Sequence, residues 1–396
     1  KHYNLFENAL NNVNPWEMAG HYPKAYEMMS LFEGLAEYYR VIGNPQHKEM
    51  LLNMFQNIGT KEITIIGNGG SDQPYHPYVY GEAWGNTALE QTNPDITRMM
   101  ETCVGVTWMK FCSQLLRLTG DPSVADYIEK YAYNGLIGAM KPTGDGFSYV
   151  NLLNGSKVTD EGWGWKFDSL QVTCCNLNGP MGLAYIPYVA VMNSDNGPVI
   201  NLYNRGDFAF ETPGKRPGSI TINTDYPVSG KIQIRLHLKK SEPFTIRLRI
   251  PEWSEATTVS VNNELIEVSP GSYAEINRKW ETDDSIDLEL DMRCRVIDAP
   301  RGSNRAGDNF QAVVYGPVVL ARDENIESDY NEPIRLASEK GFIKALQQQP
   351  VNGRSNLQFS VPVQGGKYIT LIDYASVNNW GNGMHVCTWL PIKENE

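Results

Sequence analysis

Long apolar runs are missing from this sequence: no stretch approaches the roughly 20 residues that a membrane-spanning helix needs. An excess of basic residues is missing too. Lys and Arg number 34 against 46 Asp and Glu, for a formal net charge of −12. Nucleic acids and anionic membrane surfaces both call for a basic footprint, so neither is expected as a partner. Cysteine is scarce, and the six at 103, 112, 174, 175, 294 and 387 do not form a spaced disulfide framework. Thiols kept reduced, or held by a metal, fit that distribution better than a disulfide scaffold. No repeat of fixed period and no low-complexity tract is found. The opening KHYNLFENAL has neither an apolar stretch nor an initiator methionine, so a processed or truncated chain is expected, with bacterial periplasm or cytoplasm as candidate compartments.

What is abundant is aromatic side chains, with nine Trp and 21 Tyr on an acidic chain. That combination is common in carbohydrate-active proteins, although aromatics also fill cores. The apolar period divides the chain near residue 195. Before it, HYPKAYEMMSLFEGLAEYYRVIGN places Ala25, Met28, Met29, Leu31, Phe32, Leu35, Ala36, Tyr39 and Val41 on a broad helical stripe, which Gly43 and Asn44 stop. PQHKEMLLNMFQNI, ITRMMETCVGVTWMKFCSQLLRLTG and DPSVADYIEKYAYNGLIGAM read as further helices, the last with Asp121 as N-cap and Pro122 in the first turn. NGPMGLAYIPYVAVM also reads as a helix, with a kink expected at Pro187. A long Gly- and Pro-bearing loop, IIGNGGSDQPYHPYVYGEAWGNTALEQTNPD, separates the second and third, and loops of that length are usually functional or mobile.

After residue 197 the period drops to two, as in KIQIRLHL, FTIRLRIP and SIDLELDM. Short turns between such strands predict a β-sandwich. The expected plan is multidomain α and β: a helical portion over 1–195, then an antiparallel β region over 196–396. The latter divides into two subdomains, with residues 365–396 returning to pack on the first.

Cys174 and Cys175 are neighbours, and a disulfide across one peptide bond is badly strained. The pair either acts jointly on a third party or packs as two small apolar residues. With Glu101 and Cys103 it would complete a tetrahedral set of three thiolates and a carboxylate suited to Zn²⁺. Residues i and i+2 of a helix diverge, so Glu101 and Cys103 could share a metal only where a helix begins or bends. The alternative is a core cysteine beside a surface acid. Glu82, in YGEAWGN, is either a general acid raised by desolvation or a solvated loop carboxylate. His21 opens a helix, where a lone histidine is more often structural than catalytic.

The series GHYPKAYEMMSLFEGLAEYYRVIGN, IIGNGG, YGEAWGN, METCVG, YAYNGLIGAM, FSYVNLL and TCCNLNGP resembles glycoside hydrolase family 127, the β-L-arabinofuranosidases. IRLRIPEWS, VSVNNELIEV, VVYGPVVLA and WGNGMHVCTWLP continue it in family order, over nearly the whole chain. The resemblance implies Zn²⁺ held by Glu101, Cys103, Cys174 and Cys175, with Cys174 as nucleophile and Glu82 as general acid/base. It implies sugar contact by His21. It further implies a partial α/α toroid followed by β-sandwich domains, and retaining release of β-L-arabinofuranose or a related furanose from a pectic or glycoprotein glycan. An oligosaccharide or polysaccharide would be the partner. Features at the site depart from the pattern: CCNLNGP stands where the family has two prolines and an asparagine after the cysteines, the loop between Glu82 and Glu101 is longer, and SDQPYHPYVY is inserted before Glu82. The chain also supplies about half of the family toroid's helices, so a fragment, a homo-oligomer or a separate chain completing the ring is expected. The reading from a different class is a carbohydrate-binding or scaffold protein with a structural zinc.

Overall fold

A computed structural model describes residues 5–18, 24–72, 81–96, 98–157, 173–300, 309–350, 355–377 and 385–393. Two short helices, α1 (Leu5–Leu10) and α2 (Pro15–Met18), precede the pair α3 (Ala25–Ile42) and α4 (Pro45–Lys61). Gly43 ends α3 at φ 71°, its N–H donating to the Tyr39 carbonyl. The Asn44 side chain then caps α4 by accepting from the Gln46 N–H at 3.0 Å. A single turn, α5 (Thr87–Glu90), follows the long loop. Next come α6 (Thr102–Thr119) and α7 (Pro122–Lys130), the latter capped by Asp121 as its sequence predicts. α7 continues through a π-helical turn, Tyr131–Leu136, into α8 (Ile137–Ala139). α9 (Cys174–Ala190) remains helical through both Pro180 and Pro187.

α6 is the pillar of this region, with α3, α7 and α9 packed around it. Thirteen of its 18 residues are buried, so little of its circumference faces water. Trp108 of α6 stacks on Phe55 of α4 at 5.5 Å, and Tyr127 of α7 stands edge-on to both. Each such pair contributes about 0.5–1.5 kcal/mol beyond its area burial. The N-terminus of α6, where Glu101 and Cys103 stand, is therefore held on a rigid element. α9 is apolar around most of its surface, yet Leu177, Met181 and Tyr188 are exposed.

Strands begin at Val191, slightly ahead of the break expected from the sequence. β1 (Asn154–Ser156) lies within the helical portion. β2 (Val191–Ser194), β3 (Gly197–Ile200), β7 (Glu242–Ile250) and β10 (Ser272–Trp280) form one sheet in the order β10-β7-β3-β2. β4 (Gly206–Glu211), β5 (Pro217–Thr224), β6 (Lys231–Leu238), β8 (Thr258–Val261), β9 (Glu264–Ile266) and β11 (Ser285–Glu289) form the second, ordered β4-β5-β6-β11-β8-β9. Along β6, Ile232, Ile234 and Leu236 point inward while Lys231, Gln233 and Arg235 point out. The inward residues join Ile246, Leu248 and Trp280 in one core, and each fully buried large side chain contributes about 1.5–3 kcal/mol.

The third sheet is built on β12 (Cys294–Asp298), β13 (Phe310–Tyr315) and β14 (Val318–Asp323), flanked by the short β15 (Ser338–Glu339), β16 (Phe342–Ile343) and β17 (Leu346–Gln348). β18 (Gln358–Pro362), β19 (Tyr368–Asp373), β20 (His385–Cys387) and β21 (Leu390–Pro391) also belong to it. The returning segment was expected to pack on the first β subdomain. Its strands instead pair here: β19 with β14 and β18, β21 with β13, and β20 with β14 and with β1 of the helical portion. The physical reason is that β13 and β14 are buried and take partners along their length.

A buried polar weld joins helices to sheet. The fully buried Arg249 guanidinium, on β7, pairs with Asp126 and, at 2.7 Å, with Glu129, both on α7. Tyr226 donates to Glu129 at 2.7 Å, and the Glu252 N–H donates to Asp126 at 3.3 Å. A second tie is the buried Lys157 ammonium, which donates to the carbonyls of Tyr374 and Val377 at 2.9 Å.

Candidate active site

The loop GNGGS over 67–71 organises the site. Ser71 bridges Ala83 on one side and Met99 on the other, so the segments carrying Glu82 and Glu101 lie to either side of it. The Met100 N–H donates to the Gly70 carbonyl at 2.7 Å, and the Asn68 amide donates to the carbonyls of Met100 and Glu101 at 3.0 and 3.2 Å. Two glycines are required by this crowding. A Cβ on Gly69 would sit 2.6 Å from the Glu62 carbonyl oxygen, and one on Gly70, at φ 87°, 2.7 Å from that of Gly81.

Glu101 is the N-cap residue of α6, and Cys103 lies in its first turn. The helix therefore begins there, the condition under which i and i+2 can converge. Cys174 opens α9, with Thr173 as its cap accepting from the Asn176 N–H at 3.0 Å. Two helix starts thus bring together one carboxylate and three thiols. The donor atoms of Glu101, Cys103, Cys174 and Cys175 all lie within 4.8 Å of one another. Cys103 Sγ and Cys175 Sγ are 3.4 Å apart, and the Cys174 and Cys175 thiols approach Glu101 Oε1 at 3.7 and 3.8 Å. Glu101 is a buried acid, and its Oε2 has no hydrogen-bond partner. Cys174 is the exposed thiol of the three.

Charge in the cluster is unbalanced. Burial first, then the Glu82 charge and Cys174, push the Glu101 pKa well above the usual carboxylate range. The Cys103 thiol, then Cys175, hold Cys174 down to about 3, while Cys103 is raised by Cys174 and Cys175 by burial. The first negative charge therefore rests on Cys174, at the positive end of a helix dipole. Lys24 adds a weaker attraction from a distance. An orphaned carboxylate oxygen among three thiols fits a thiophilic metal ion.

The Glu82 side chain is 13% exposed, so it is not a solvated loop acid. Lys24 pairs with it at 3.3 Å, and the Tyr149 hydroxyl donates to it. The Tyr149 carbonyl faces the Cys175 thiol at 4.0 Å and accepts from the Thr102 N–H at 2.8 Å, so one residue touches both the acid and the cluster. His21 lies outside the described residues, as does most of the insert before Glu82. Sequence reasoning missed Lys24, Tyr149 and Asn178. The first two sit in GHYPKAY and FSYVNLL, stretches that carry the resemblance, but nothing in their local pattern marks them. Asn178 donates to Cys103 Sγ at 3.2 Å and to the Cys174 carbonyl at 3.0 Å.

Paired helices with a carboxylate–thiol cluster at their starts, followed by antiparallel β domains, place the chain in the class of helical-toroid proteins with β-sandwich appendages, as its sequence predicts. Residues 6–187 match the family described as "Beta-L-arabinofuranosidase, GH127 catalytic domain", and residues 199–292 match "Beta-L-arabinofuranosidase, GH127 middle domain". The two matches run in order and together cover more than half of the chain: it belongs to glycoside hydrolase family 127. A "Non-reducing end beta-L-arabinofuranosidase" of Bifidobacterium longum is 24% identical over 315 residues, which is 74% of this chain and 44% of that protein. The chain thus spans less than half the length of that relative. A GH127 beta-L-arabinofuranosidase from Geobacillus stearothermophilus superposes with a TM-score of 0.75 at 20% identity, covering 93% of this chain and 60% of the other. A second structure, described as a GH127 beta-arabinofuranosidase, gives 0.76 at 22%, covering 98% and 64%. At these identities the structural likenesses carry the fold, a partial toroid with β domains.

Proposed function

We propose that the chain is the catalytic and β-domain portion of a retaining exo-glycosidase that releases terminal β-L-arabinofuranose, or a related furanose, from plant pectic or glycoprotein glycans. The observation that carries this reading is the convergence of Glu101, Cys103, Cys174 and Cys175 within 4.8 Å, with Cys174 alone of the three thiols exposed. These four residues would hold zinc, which when bound would keep the thiols deprotonated at neutral pH.

Cys174 Sγ attacks the anomeric carbon as the glycosidic C–O bond breaks, and Glu82 delivers its proton to the departing oxygen. Glu82, now a carboxylate, takes a proton from water. That water attacks the same carbon, the C–S bond breaks, and the sulfur recovers its electron pair. Two displacements return the original configuration. Lys24 and Tyr149 hold the Glu82 carboxylate in place between these steps. His21 is proposed to contact the sugar.

A purely structural zinc in a glycan-binding scaffold would leave Glu82 facing solvent, and its burial against Lys24 and Tyr149 favours catalysis. The exposed Leu177, Met181 and Tyr188 on α9 support further helices, in the same or another chain, covering that face. The deciding experiment compares Glu82→Gln on aryl and alkyl L-arabinofuranosides. The variant should lose far more rate on the poor alkyl leaving group. Equal losses on both would remove the proton-donor role.

A further inference from the structure

Glu62 ends α4 and is completely buried, yet no arginine or lysine pairs with it among the described residues. Its carboxylate faces three successive backbone N–H groups: Gly85 at 3.2 Å, Asn86 at 3.1 Å and Thr87 at 2.9 Å. The Thr87 hydroxyl adds a fourth bond at 2.8 Å. Asn86 adopts φ 60°, so the turn presents its N–H groups as an anion-binding nest. That nest begins three residues after Glu82, with Ala83 and Trp84 between them. The Thr87 hydroxyl also accepts from the Gly70 N–H at 3.1 Å, and the Gly70 carbonyl accepts from Met100, the residue before Glu101. One hydrogen-bonded chain therefore runs from Glu62 to the segment carrying the acid and on to the segment carrying a cluster ligand.

We propose that Glu62 is a positioning residue for Glu82, an internal carboxylate that clamps the turn behind the proton donor and sets it against the thiol cluster. This rests on the reading of Glu82 as proton donor. Without the clamp, Glu82 is still held from the front, its carbonyl by the Ala25 N–H at 2.9 Å, its carboxylate by Lys24 and Tyr149, and its neighbour Ala83 by Ser71, but nothing fixes the turn behind it against Glu62. The turn behind it then has three N–H groups to satisfy elsewhere, of which that of Thr87 is buried. Misplacing a reacting group by about 1 Å can lower a rate by about 10²-fold.

Glu62→Gln tests this in the full chain as it occurs, because the glutamine matches the volume but points an N–H₂ at other donors. Thr87→Val is the second variant, for use should the first not fold. Three measurements are made: hydrogen exchange of residues 81–91, zinc content, and kcat/KM on alkyl and 4-nitrophenyl L-arabinofuranosides. The expected result is at least ten-fold faster exchange across that segment, unchanged zinc, and a loss on the alkyl substrate at least ten times that on the nitrophenyl one. Unchanged exchange, or equal losses on both substrates while Glu82→Gln discriminates between them, would overturn the proposal. Lack of discrimination in Glu82→Gln itself would instead bring down the proton-donor reading, and the proposal with it.

Discussion

Two buried polar clusters in this protein are built from similar parts to opposite effect. The weld between α7 and β7 sets one guanidinium between two carboxylates, and each receives a further bond from Tyr226 or the Glu252 N–H. Both of its acids share one cation and have a neutral donor besides. The cluster at the starts of α6 and α9 gathers a carboxylate and three thiols, with one carboxylate oxygen unpartnered and no cation among the four. Desolvating charge is tolerated when opposite charge and hydrogen bonds return the lost solvation. The weld does so internally. The thiol cluster does not, and that is what marks it as a group that could hold a metal ion.

The contrast can be broken at several points. The largest effect is expected from Cys174→Ser, which should lower turnover by about 10⁴-fold or more, equivalent to about 5.5 kcal/mol in the barrier, with the far-UV circular dichroism unchanged. Full activity would take Cys174 out of the chemistry. Arg249→Met should remove about 3–5 kcal/mol of stability in urea unfolding, because Asp126 and Glu129 are left buried without their cation. A shift below about 1 kcal/mol would mean that the weld is no weld.

pH offers a third test, on metal-free protein. Burial pushes Glu62 up to about 7 in spite of its four hydrogen bonds. Its folded pKa lies above the unfolded value, so the folded state holds the extra proton between about pH 4.5 and 7 and stability falls as pH rises through that window. The loss is about 3 kcal/mol at most. Glu62→Gln should flatten that part of the stability profile measured by thermal unfolding, and an identical slope in both proteins would contradict it. The smallest effect is expected from Glu101→Gln, which should weaken zinc retention by at least about ten-fold, or about 1.4 kcal/mol. It should alter the stability of the metal-free protein less, since burial raises the pKa of that acid well above the usual carboxylate range. Equal zinc retention in both proteins would take Glu101 out of the ligand set.

Local chemistry alone determined much of this molecule. Gly43, Asn44, Asp121 and Pro122 punctuate the helices where capping rules put them, because a cap satisfies orphan backbone groups within a few residues of itself. The two-residue period of β6 declares its inward face in the same way. The four cluster residues were legible through family resemblance, and their order in the chain said nothing of distance. Only tertiary structure decided that Glu101 is the N-cap of α6, that Tyr149 and Lys24 reach Glu82, and that Glu62 sits behind its turn. Those contacts join segments far apart in the chain through packing around α6, and no local pattern encodes which loops a buried pillar will bring side by side.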